Sequence, residues 1–238
     1  MFNTIRADLY RLLHGKGLYI CYALYLLGVA FIVFTGSTPA PRVVMENFLV
    51  MLCFILAIVY LICAPDFNHG VIKTPIASGA SRSTLYLARL LLSFVLCELL
   101  YGLAVLLAIG LDLLLGYPLA DPTVGSAAQL AAGFGCQSLM LLAACATGVA
   151  IAHIAQRGAV LNAVYVALFF GMTIFQAALG RIIPSLPNLD FVSGSAQLLY
   201  FGMFDSFEPI WRILAVGAVY LAASTVLGLA VFSKCEIK

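Results

Sequence analysis

The chain reads as an all-α membrane protein, with six transmembrane helices, an interfacial amphipathic helix ahead of the first, a short cytoplasmic helix between the second and third, and a re-entrant outer segment before the sixth. Three observations predict this. Of 238 residues, 64% are hydrophobic and 9% charged, and a mean hydropathy of +1.11 leaves too few polar side chains to coat a soluble domain. The apolar residues gather into runs of about 18 or more, enough to cross a bilayer as helices, in which no backbone group is left unpaired in lipid. The basic residues are also sorted. Arg6, Arg11, Lys16, Lys73, Arg82, Arg89, Arg157, Lys234 and Lys238 fall on the side of both termini, and only Arg42, Arg181 and Arg212 fall opposite. Basic flanks stay inside during insertion, so both termini are expected in the cytoplasm and the chain in the cell membrane. The acids run the other way, with Glu46, Asp121, Asp190, Asp205 and Glu208 outside and Asp8, Asp66 and Glu236 inside, so the net charge of +2 conceals the asymmetry.

The whole chain, 1–238, forms one domain. Residues 1–16 place Phe2, Ile5, Leu9, Leu12 and Leu13 on one helical face with Asn3, Arg6, Arg11 and His14 away from it, the pattern of a helix lying in the headgroup plane. Gly15 and Gly17 then let the chain turn into the first span, 17–36. This run is longer than the apolar core of a cleaved secretory signal, so it is expected to stay in the protein. The second span is 47–64 and the third 86–116. The third is about 31 residues or roughly 46 Å as a helix, so it must tilt or project beyond the membrane, and projection is the expectation.

Glu98 and Asp112 lie in this third span, 14 residues apart, which is about 40° around the helix and about 21 Å along it. They share a face but cannot share a proton, which excludes a carboxylate pair of the aspartyl-protease kind within this helix. Tyr101, Gly102, Val105, Ile109 and Gly116 continue the face, a stripe of small or polar residues suited to protein neighbours or a cavity. An ionisable group near mid-membrane is costly, so Glu98 reads either as part of a translocation or gating path or as a structural hydrogen bond to a neighbouring helix. The fourth span, 127–153, carries Gln129, Gly133, Gln137, Ala144 and Gly148 on one side. The fifth, 159–180, carries Asn162, Tyr165, Thr173 and Gln176. These faces are expected to point inward, as helix packing or as the lining of a path. Segment 181–209 is outside and rich in proline, yet Phe191, Leu198, Leu199, Tyr200, Phe201, Met203, Phe204 and Phe207 are too apolar for a plain loop. It is expected to return to the membrane before the sixth span, 210–232. Cys21, Cys53, Cys63, Cys97, Cys136, Cys145 and Cys235 show no paired spacing and read as small packing residues.

The polar segment 65–84 joins the second and third spans on the cytoplasmic side. Pro65 and Asp66 favour a helix start, Gly70 and Thr74-Pro75 limit its length, and Ser81 or Ser83 can cap the next helix. The expected short helix exposes Lys73, Arg82 and Arg89 beside Phe67, Val71 and Ile76, a mixed basic and apolar surface able to dock in a groove of a soluble protein. A plain solvated loop is the alternative.

With these residues in place the whole chain resembles the compact permease subunits of type-2 ATP-binding-cassette exporters. The resemblance is carried by the interfacial helix, the six spans and the outer re-entrant segment, and by Asp66, Gly70-Val71-Ile72-Lys73, Ser81-Arg82 and Arg89 around the cytoplasmic turn. The chain departs from the family pattern at Val71 and Pro75. The resemblance implies a coupling helix that meets a separate ATPase subunit through Asp66, Phe67, His69, Gly70, Lys73, Arg82 and Arg89. It also implies two ATPase copies, a second permease copy or a related permease, and a translocation path past Glu98, Tyr101, Gln137, Asn162 and Gln176. No GxxxxGK[ST] phosphate loop occurs in the sequence, so ATP and magnesium are expected on the partner and no cofactor on this chain.

No catalytic or metal site is expected, because His14, His69 and His153 are scattered without HExxH spacing and no GxSxG occurs. A nucleic-acid partner is not expected either. By analogy the substrate is hydrophobic or amphipathic: an antimicrobial or signal peptide, or a lipophilic drug. The alternatives are a non-transporting membrane scaffold or sensor subunit and, less favoured, an intramembrane hydrolase using Glu98.

Overall fold

The computed structural model describes residues 2–35, 48–68, 79, 81–115, 127–171 and 208–234. They are helical almost throughout, with no strand among them. In chain order the helices are α1 (Phe2–His14), α2 (Lys16–Thr35), α3 (Phe48–Asn68), α4 (Arg82–Leu115), α5 (Ala127–Ala155), α6 (Gly158–Val166), which widens into a π-helical turn over Ala167–Gly171, and α7 (Glu208–Lys234). Four of these are long and apolar enough to cross a membrane: α2, α4, α5 from Phe134 and α7 from Gly217. Two shorter apolar stretches, Val50–Pro65 in α3 and Gly158–Gly171, accompany them. The predicted re-entrant segment lies outside the described residues, as do the outer half of the 159–180 span and most of the 65–84 turn.

Hydrophobicity alone does not say which helix goes inside, because every face is apolar. Side-chain size decides. The helix at the centre is α5, where Ala143, Ala144, Ala146, Ala150 and Ala152 are all buried and let α3, α4, α6 and α7 approach closely. Its closest companion is α7, which runs parallel to it: Gly217 lies against Leu139 and Met140 at one end, and Phe232 packs edge-on against His153 at the other. Large side chains turn outward. Tyr19, Ile20, Leu24, Leu27, Phe31 and Phe34 of α2 and Leu87, Leu91, Val95, Leu99, Leu103 and Leu106 of α4 form exposed rows that suit lipid tails and would aggregate in water.

The helices alternate in direction, so that α2, α4 and α6 begin and α3, α5 and α7 end at one face. Gly17 lies against Leu61, Gly158 against Tyr60 and Ala64, and Arg82 against Phe232 and Ser233. Because Arg6, Arg11, Lys16, Arg82, Arg89, Arg157 and Lys234 all belong to these helix ends, we call this face the basic end. The Tyr22 hydroxyl, six residues into α2, donates to the Leu96 carbonyl, fourteen residues into α4. At 1.5 Å per residue α4 therefore starts about 12 Å beyond α2. Against that extension rests α1, which also touches α2 and α3.

Of two features expected in the turn regions, one is found and the other is not. Ser81 is the cap of α4: its hydroxyl accepts from the Thr84 amide at 3.2 Å. Pro65, however, starts no new helix and sits inside α3, which continues to Asn68. A proline cannot donate to the carbonyl four residues back and crowds the carbonyls before it. That leaves the Leu61 carbonyl without its helical donor; the next carbonyl, Ile62's, accepts from Arg11 Nη2 at 2.8 Å, and the same nitrogen lies 3.4 Å from Asp8 Oδ1.

Candidate functional site

Two polar clusters interrupt the apolar bundle. One is at the basic end, where α4, α5 and α7 meet. Arg89 is 1% exposed, and its Nη1 reaches His153 Nε2 at 3.0 Å. His153 Nδ1 lies 2.8 Å from the Val149 carbonyl. A carbonyl only accepts and a guanidinium only donates, so the imidazole must carry its proton on Nδ1 and offer the Nε2 lone pair to Arg89. The ring is clamped edge-on between Tyr86 and Phe232, with centroids 5.2 and 4.6 Å away. Tyr86 in turn donates to the Ser224 carbonyl of α7 at 3.4 Å. Arg82, one turn nearer the end, donates to the Phe232 and Ser233 carbonyls at 3.3 and 3.2 Å. That places a cation on the last carbonyls of α7, where the helix dipole favours it.

This bears on two of the residues expected to meet an ATPase. Arg89 does not stand on an outer surface, because it reaches inward to the neighbouring helix and is buried. Arg82 is half-buried and donates to α7. Of the other residues expected to meet an ATPase, Asp66 and Phe67 fall on the last turn of α3, whereas His69, Gly70 and Lys73 lie outside the described residues.

The second cluster is in mid-bundle. Glu98 lies 16 residues beyond Arg82, about 24 Å into α4, and its Oε1 accepts from Ser138 Oγ of α5 at 2.6 Å. One turn on, the Tyr101 ring stacks against Phe134 at 5.3 Å. Its hydroxyl is within Coulombic reach of both Glu98 and Tyr25 of α2. Gln137, beside Ser138, is buried. The Ser138–Glu98 distance is one at which a base could activate a nucleophile, but a serine bonded to a carboxylate across two helices is equally a polar bridge of the kind that joins membrane helices. Among the described residues no three His, Cys, Asp or Glu side chains are grouped so as to hold a metal ion.

Thus Glu98 and Tyr101 meet Ser138 and Phe134 at the α4–α5 seam, with Gln137 buried at the adjacent position of α5. Asn162 does not join them. It is exposed on α6 while Tyr165, three residues on and about 60° round the helix, is buried, so Asn162 sits at the edge of the inward face and Tyr165 within it. Gln176 lies outside the described residues. Sequence reasoning missed Ser138 and Tyr25 as partners of this cluster, and nothing in their spacing could have found them, since they sit on other helices. No family model matches the chain, and no curated protein matches it.

Proposed function

We propose that the chain is the membrane-spanning permease subunit of an ATP-binding-cassette exporter, with all six apolar segments crossing the bilayer and the basic end in the cytoplasm. A separate ATPase docks there, near Asp66, Phe67, His69, Gly70 and Lys73, and two such permeases, identical or related, frame the path. ATP closure on the partner rocks the helices and moves a hydrophobic or amphipathic substrate outward. The observation that carries this reading is how the basic end is tied together. Arg11 joins α1 to α3, Arg82 joins α4 to α7, and Arg89 joins α4 to α5. The Arg82 and Arg89 bonds couple the start of α4 to the ends of α7 and α5, and the Arg11 bond ties the end of α1 to that of α3, so a push on the turn between α3 and α4 reaches these helices together.

The test is association and transport. Lys73→Glu should abolish co-purification with the ATPase while leaving the chain folded. Vesicles holding the full complex should then move substrate with ATP only when Lys73 is intact. Association without transport of any amphipathic substrate would instead assign a scaffold or sensor subunit.

A further inference from the structure

Three buried oxygens in mid-bundle have no hydrogen-bond partner among the described residues: Glu98 Oε2, Tyr101 Oη and Tyr25 Oη. Tyr101 is 0% and Tyr25 3% exposed, and a polar group sealed from water without a partner is costly. The three are neighbours. Glu98 and Tyr101 are one turn apart on α4, and Tyr25 lies at their level on α2, one turn beyond the Tyr22 that donates to the Leu96 carbonyl of α4. The other carboxylate oxygen is already held by Ser138, which fixes the direction in which Oε2 points. Aromatic faces line the same place, Tyr101 stacked with Phe134 at 5.3 Å and Tyr25 tilted against Phe54 at 4.9 Å.

There is also a way in. A Cβ built at Gly102, the next turn of α4 after Glu98, would meet nothing within 4 Å, and the same holds at Gly135, one turn before Ser138 on α5. These two glycines flank the α4–α5 seam beside the Glu98–Ser138 bond. Val95 and Leu99, on either side of Glu98, are exposed to the surroundings of the bundle.

From this we infer that Glu98, Tyr101 and Tyr25 form a binding site for a primary ammonium group on an amphiphile, entered sideways from the bilayer through the seam at Gly102 and Gly135. An ammonium carries three N–H donors and no acceptor, matching one carboxylate oxygen and two phenol oxygens. Its charge cancels that of Glu98, which makes burial of the pair tolerable where either ion alone is expensive. The flanking rings add cation–π attraction, and the alkyl tail stays in lipid along Val95 and Leu99. A hard metal cation fits less well, since it demands six or more oxygen ligands. The inference rests on the bundle lying in a membrane and not on any ATPase, so its failure would leave the export reading standing.

The experiment is equilibrium binding of radiolabelled n-octylammonium to the full chain in phosphatidylcholine nanodiscs, with protein-free nanodiscs of the same composition as the reference that subtracts partition into lipid. The chain should bind the probe saturably, and Glu98→Gln should weaken binding about tenfold or more, the loss of one charge-assisted hydrogen bond. Tyr101→Phe and Tyr25→Phe should each weaken it several-fold. Gly102→Leu, which removes no polar atom, should weaken it by blocking the seam. Thermal melting of each variant in the same nanodiscs verifies that it is folded. Equal binding by Glu98→Gln would overturn the site. So would equal competition by n-octanol, which lacks the charge, by octyltrimethylammonium, which lacks the N–H donors, or by millimolar sodium ion.

Discussion

At the scale of the residue, Arg89 shows how one buried cation can set the order of a membrane bundle. It leaves the lipid-facing row of α4 and bonds a neutral imidazole, whose tautomer is fixed by the Val149 carbonyl. Removing the guanidinium would leave Nε2 buried without its donor and open a void beside Tyr86. Arg89→Ala should therefore lower stability by about 2–4 kcal/mol, measured by denaturant or thermal unfolding in micelles. Arg89→Ala combined with His153→Phe should recover part of that loss, because no orphaned lone pair remains. A full loss in both variants would mean that the cost comes from packing and not from the hydrogen bond. None of this was legible in the sequence. Arg89 stands in a basic context and its partner His153 is 64 positions away, so local pattern assigned Arg89 to the surface and gave His153 no partner.

At the scale of the element, four of the six expected spans were legible as helices long and apolar enough to cross a membrane, because hydropathy over such a helix is a sum of many small local terms, and no single neighbour can reverse it. The faces of those spans were not. Asn162 and Tyr165 carry the same polar signal, but only the packing of α6 against α3 and α5 decides that Tyr165 points in. The end of α3 was misread for the same reason, since the last turns of that helix pack against α1, whose Arg11 donates to the Ile62 carbonyl from 51 positions earlier. Two element-level predictions follow from backbone geometry. The α5–α6 turn passes through Gln156 at φ 51°, a left-handed conformation that costs a non-glycine residue about 1 kcal/mol. Gln156→Gly should raise the unfolding midpoint or leave it unchanged, and a clear fall would contradict the turn geometry. Gly228 lets α7 approach Tyr86 so closely that a Cβ there would stand 2.5 Å from the phenol oxygen. Because Tyr86 is fully buried and cannot swing away, Gly228→Ala should cost about 1–3 kcal/mol.

At the scale of the whole molecule, the bundle is built from helix ends gathered at one basic face and a polar cluster held within its core. In the proposed arrangement the face is cytoplasmic and takes the ATPase, and the interior cluster takes the substrate's charged group. The orientation itself is testable: Cys235, beyond the end of α7, should react with a membrane-impermeant maleimide only after the cells are opened. The central claim is that the turn between α3 and α4 is pressed by a nucleotide-driven partner. Its most direct measurement is photo-crosslinking from a benzophenone amino acid placed at position 73 of the full chain in intact cells, with the captured polypeptide identified by mass spectrometry. The account predicts capture of a protein that carries a GxxxxGK[ST] phosphate loop. Capture of lipid alone, or of proteins none of which has that loop, would contradict it.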